Sequence, residues 1–136
     1  MVKDAVLRKE IAVTEKDKAG ILASLSKILA EHGINIEGVA GYAANSEAKI
    51  MFVTEDDVRA QDAIKKAGYK QVSENRVIQV YLVNKAGALK TISAKLASAG
   101  IDLKYAYGTI CSEGCPATII LATSDDEKAL ALLKQK

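Results

Sequence analysis

A short run of residues that could bind a ligand occurs twice: Asp17-Lys18-Ala19-Gly20 returns as Asn84-Lys85-Ala86-Gly87, each ahead of an apolar helical pattern. That combination suits binding more than catalysis. A helix N-terminus presents N–H groups without intrahelical partners and a partial positive charge, both favourable to a carboxylate. Glycine lets that backbone approach a ligand with no Cβ in the way. An ammonium on the same ligand wants a carboxylate or carbonyl beside it. Plainer roles stand next to this one. The glycines can simply make the turn, and Asp17 and Asn84 can cap the helix.

Other reactive side chains offer less. Cys111 and Cys115 bracket a loop with a spacing that some metal or redox sites use, but zinc wants four ligands and the chain has one histidine, His32, and no further cysteine. No metal site and no cofactor are expected. His32 precedes Gly33, a helix-ending glycine, where an imidazole has a structural role. The pairs Asp56-Asp57 and Asp125-Asp126 are read as helix starts, where carboxylates favour the helix dipole. No Ser/Cys–His–Asp set, glycine-rich phosphate loop or metal cluster appears, so no enzyme activity is expected.

The elements that position these residues are themselves repeated. Residues 11–42 and 78–109 align at an offset of 67 with 12 identities over 32 positions, so the chain is two copies of one supersecondary unit. Units of that size bury little core alone and are expected to pack together or dimerise. Residues 11–13 and 77–82 read as the opening strands, with Ile78, Val80 and Leu82 on one face. Ile21, Leu22, Leu25, Ile28 and Leu29 fall on one helical stripe, as do Leu89, Ile92, Leu96 and Ala99. Gly33 and Gly100 suit the left-handed position after a helix end.

Strands follow at 34–43 and 101–111, then hairpin turns at 44–47 and 112–116. Return strands follow at 48–54 and 117–123. The second hairpin is two residues longer, since the offset between Thr54 and Thr123 is 69. Second helices carry Ala60, Ala63, Ile64 and Ala67, and Ala129, Leu130 and Leu133. A closing strand at 69–73 follows the first copy. No counterpart follows the second, yet residues 2–6 stand 67 positions before 69–73. Residues 2–7 are therefore expected to complete the second sheet, within the chain or across a dimer.

Strand, glycine turn, helix, Gly-Ile-Asn-Ile strand, hairpin, helix and strand make a βαββαβ unit. In detail it resembles the ACT domain, a small regulatory module that binds amino acids. The resemblance rests on Asp17-Lys18-Ala19-Gly20-Ile21-Leu22 with Gly33-Ile34-Asn35-Ile36, and on Asn84-Lys85-Ala86-Gly87-Ala88-Leu89 with Gly100-Ile101-Asp102-Leu103. Ala19 and Ala86 stand where the family usually has proline. The resemblance implies an α+β fold of two ferredoxin-like units, 1–75 and 76–136, with antiparallel sheets and helices on one face. It further implies a ligand held by Asp17, Ala19, Gly20, Ile21 and Asn35 in the first copy, and by Asn84, Ala86, Gly87, Ala88 and Asp102 in the second. Asn35 and Asp102 can equally be solvent-facing strand residues.

The function expected on this basis is a non-catalytic regulatory protein that binds an amino acid, forms a homodimer and can act on a metabolic enzyme. The alternatives are a ligand-free assembly module and a small enzyme on the same scaffold. With 19 basic against 17 acidic residues, charge gives no case for nucleic acid or a membrane, and the aromatic-rich strands of RNA-binding relatives of this topology are absent. The start lacks the apolar core of a signal peptide and no apolar run nears 18 residues, so a cytoplasmic location is expected.

Overall fold

The computed structural model describes residues 2–109 and 115–135. Most of the longer second hairpin, with Cys111, lies outside the described residues. Six strands and four helices are described, in the order β1 (Val2–Lys16), α1 (Ile21–Glu31), β2 (Ile36–Ala44), β3 (Glu47–Thr54), α2 (Asp57–Lys66), β4 (Gln71–Leu82), α3 (Ala88–Ser98), β5 (Leu103–Thr109), β6 (Ala117–Thr123) and α4 (Asp126–Lys134). The chain divides into a continuous unit, Lys9–Asn75, and a split unit made of Met1–Arg8 with Arg76–Lys136.

In place of separate segments at 2–7 and 11–13 there is one strand of 15 residues, β1. Residues 71–73 and 77–82 likewise merge into β4, which Tyr69 and Lys70 precede. Neither stretch contains a glycine or proline, so nothing locally ends the extended backbone. Each long strand therefore serves both units in turn.

In the continuous unit the strand order is β4-β1-β3-β2. β1 pairs antiparallel with β3, Ile11 opposite Phe52 and Lys16 opposite Glu47. β3 pairs antiparallel with β2, Val39 opposite Phe52. Its core gathers Ile11 and Val13 from β1, Leu25 and Leu29 from α1, Phe52 from β3 and Ile64 from α2.

The split unit has the order β1-β4-β6-β5, with Val80 of β4 opposite Ile119 and Tyr107 of β5 opposite Ile120. Ala5 is fully buried in its core with Ile78, Val80, Ile92, Leu96 and Leu133. The N-terminal strand thus completes the split unit within the same chain.

Small devices recur in both. Asp56 caps α2 by accepting from the Arg59 N–H, and Asp125 caps α4 by accepting from that of Lys128, both at 3.1 Å. The same two basic residues reach back to the first helix of their unit. Arg59 Nη2 donates to the His32 carbonyl at 2.6 Å, and Lys128 Nζ to the Ala99 carbonyl at 3.0 Å. His32 Nδ1 lies 2.8 Å from the Ile28 carbonyl, which can only accept, so the imidazole donates there. These contacts satisfy carbonyls at the end of a helix.

Candidate functional site

The two turns read from the sequence have one geometry. Gly20 and Gly87 both take φ 90°, in the left-handed region, and each is the N-cap of the helix that follows. A side chain there would be strained, so glycine is dictated by the backbone. The turn glycine has no side chain with which to cap its helix, and its carbonyl accepts the first helical bond, from Ser24 at 2.9 Å or Thr91 at 3.0 Å. Asp17, Lys18, Ala19 and Gly20 are exposed, as are Asn84, Lys85, Ala86 and Gly87. The Asp17 N–H is anchored to the Ser46 carbonyl at 2.9 Å, so the β2–β3 hairpin fixes this turn. That hairpin holds Asn45 and Ser46 at φ 54° and 64°, as a two-residue turn between twisted strands demands.

Ile21 and Ala88, counted among the candidate residues, belong with their side chains to the cores: they are 5% and 3% exposed. Only their backbone N–H groups can face a ligand. The residues after them correct the helical stripe read from the sequence. Leu22 and Leu89, placed there among the apolar face, are 49% and 53% exposed. The buried stripe runs instead through Ile21, Leu25 and Leu29, and through Ala88, Ile92 and Leu96, four residues apart, which leaves position 22 or 89 about 100° around the helix. An exposed leucine therefore flanks both turns. Its signal was its recurrence at the repeat offset, which apolar character masked.

Asn35 and Asp102 are not brought to the turns of their own units. Ile36 pairs with Thr54, whereas the turn at Asp17 continues from the Lys16–Glu47 pair. The seven steps of β3 between Glu47 and Thr54 span roughly 23 Å. In the split unit, Leu103 opposite Thr123 and Leu82 opposite Ala117 mark the two ends in the same way. The chain runs up one strand and back down a helix, so residues before and after that helix lie at opposite ends. Asn35 is exposed, and its N–H donates to Glu55 Oε1 at 3.1 Å. The Asp102 N–H donates to Ser124 Oγ at 2.9 Å.

Among the described residues no group of three or more His, Cys, Asp or Glu side chains is gathered as for a metal ion. No described helix is long and apolar enough to cross a membrane. Tyr105 and Tyr107 lie parallel on β5, ring centroids 6.5 Å apart, while Tyr42 on β2 is 55% exposed.

Two βαββαβ units with a glycine turn opening the first helix of each define a pair of ferredoxin-like α+β modules of the ACT-like kind. Residues 11–67 match the family model of the ACT domain. Solved structures share the fold across nearly the whole chain. A Bacteroides thetaiotaomicron protein is 22% identical with a TM-score of 0.87, covering 96% of this chain and 88% of that one. The ligand-free regulatory subunit of aspartate kinase from Thermus thermophilus is 17% identical with a TM-score of 0.68, covering 97% and 95%. Its counterpart from Thermus flavus is 18% identical with a TM-score of 0.66, covering 98% and 94%. At these identities the likeness is one of fold. No curated protein matches the chain by sequence.

Proposed function

We propose that the chain is a non-catalytic regulatory protein of two ACT domains that binds an amino acid at the turns preceding α1 and α3. The observation that carries the reading is the pair of exposed turns whose glycines share a left-handed φ of 90° at helix N-termini. The ACT match over 11–67 supports a regulatory role with a small ligand, and so does the fold shared with regulatory subunits of aspartate kinase. In this reading the backbone of Ala19, Gly20 and Ile21, and of Ala86, Gly87 and Ala88, receives the ligand carboxylate. Asp17 takes the ammonium in the first site and Asn84 supplies an amide in the second. Leu22 and Leu89 offer apolar surface to the ligand's side chain. Asn35 and Asp102 join a site only when they are contributed from outside the unit that supplies its turn. A cytoplasmic homodimer, acting on a metabolic enzyme through a ligand-driven population shift, completes the proposal.

A thermal-shift screen of the twenty amino acids at millimolar concentration tests it. Ligand at 100 times its dissociation constant stabilises by roughly 2.7 kcal/mol, enough to raise Tm by about 5–10 °C. Asp17→Ala should then weaken binding tenfold or more, about 1.4 kcal/mol. No shift with any amino acid would overturn the reading and favour a ligand-free assembly module.

A further inference from the structure

We infer that the split unit holds a second kind of binding site, for an organic anion with an apolar body, in the cleft between α3, the end of α4 and the start of β1. The cleft has a volume of about 660 Å³, within the range of small-molecule sites. Its floor is apolar, with Ala5, Ile92 and Leu133 all buried in the split-unit core. Among the described residues that line it are three lysines, Lys3, Lys95 and Lys134, and one acidic side chain, Asp4, whose Oδ1 already accepts from the Ala5 N–H at 2.8 Å. It is distinct from the glycine turns.

The corresponding place in the continuous unit shows what makes this cleft open. There Tyr69, three residues past the end of α2, donates its hydroxyl to Ser24 Oγ on α1 at 2.8 Å, bracing the groove. At the repeat offset of 67, Tyr69 corresponds to Val2 and Ser24 to Thr91. Valine cannot span that distance, and Thr91 Oγ1 instead donates to the Gly87 carbonyl at 2.9 Å. The charge changes in step. Ile28 and Glu31 of α1 correspond to Lys95 and Ser98 of α3. The remaining groove of the continuous unit, about 450 Å³, is lined by two lysines balanced by Glu15 and Glu31. The same fold thus has a braced, charge-balanced groove in one copy and an open cationic cleft in the other. An apolar floor beneath ammonium groups holds an apolar chain while the rim pairs with its charged head.

Octanoate is the probe, titrated into the full chain and followed by amide chemical shifts. Saturable shifts at Thr91, Ile92 and Leu133 are expected, with at least tenfold weaker binding of both 1-octanol and inorganic phosphate. Lys95→Glu should weaken octanoate tenfold. The double variant Val2→Tyr with Thr91→Ser rebuilds the brace of the continuous unit and should abolish binding while the protein stays folded. Absence of saturable shifts, equal binding by the braced variant, or 1-octanol matching octanoate would each overturn the assignment. Amino-acid binding at the turns is scored separately, because neither variant alters a turn residue.

Discussion

The continuous and split units share a fold, a turn and a set of caps, and they differ in how their fourth strand is supplied. The continuous unit, Lys9–Asn75, is one uninterrupted stretch of chain. The split unit takes its fourth strand from residues at least 68 positions away in sequence (76 − 8), with Ala5 fully buried among Ile78, Val80 and Leu133. The difference teaches that the repeat is a permuted one. β1 and β4 each begin in one unit and end in the other. The continuous unit therefore closes within one stretch of chain, while the split unit must bring Met1–Arg8 to Arg76–Lys136 across that whole stretch, with a larger loop-closure cost.

The strongest way to break that comparison is to remove residues 2–8. The split unit should lose its fourth strand and amide protection across 76–135, while amides of α1 and β3 remain protected. Hydrogen exchange reads this directly, and an unchanged pattern would show that the N-terminal strand is dispensable. Next in size are the matched core residues Phe52 and Leu121, 0% and 1% exposed. Phe52→Ala should cost about 3–5 kcal/mol and Leu121→Ala about 2–5 kcal/mol in urea melts, each destabilising its own unit first.

A smaller effect separates two glycines that occupy matched positions. A Cβ at Gly41 would crowd Ile50 Cδ1, at 2.8 Å, the far end of a flexible side chain, and would meet the Lys49 carbonyl oxygen at an ordinary 3.6 Å. At Gly108 it would meet the Ile119 side chain and also the Thr118 carbonyl oxygen at 2.8 Å. Backbone in a paired strand cannot move aside as a methyl can. Gly108→Ala should therefore cost about 1–3 kcal/mol, and Gly41→Ala less than about 1 kcal/mol. Equal melting of the two variants would show that the β5–β6 pair yields as easily as β2–β3.

Much of this architecture was legible in the repeat. The strand–turn–helix order, the helix-ending glycines and the aspartate caps at Asp56 and Asp125 follow from local chemistry, and local chemistry is what a sequence states. The offset of residues 2–6 from 69–73 exposed the permutation because a missing strand is a gap in a count. What escaped was whatever depends on direction in space. Asn35 and Asp17 carry the chemistry of one site, but the helix between them returns the chain to the other end of the sheet. Leu22 and Leu89 fall on the apolar stripe of the sequence yet lie exposed, because apolar character and helical spacing do not tell position 21 from 22 without a partner surface. The open cleft of the split unit was likewise hidden. It rests on two substitutions, Tyr69 against Val2 and Ser24 against Thr91, that meet only when the strands are paired.

The subtlest contrast lies where the two long strands pass from one unit to the other. Glu74 of β4 accepts from Lys9 Nζ at 2.8 Å and from Gln61 Nε2 at 2.9 Å. These two bonds, that to Lys9 foremost, hold its carboxyl below the usual carboxylate value. At the repeat offset the split unit has Leu7 in place of Glu74 and Arg76 in place of Lys9, and Arg76 reaches Glu127 on α4 at 3.1 Å instead. A carboxyl lowered on folding stabilises above its unfolded-state value, and that contribution disappears as pH falls through the folded-state value. The continuous unit should therefore carry an acid-sensitive increment from Glu74 that is complete at neutral pH. Glu74→Leu should remove it, flattening the acid limb of the pH–stability curve for the continuous unit. Because both partners are exposed, the difference should be the smallest of the set and shrink at 1 M salt. A variant whose acid limb matched the parent's would show that Lys9 and Gln61 hold Glu74 no better than water does.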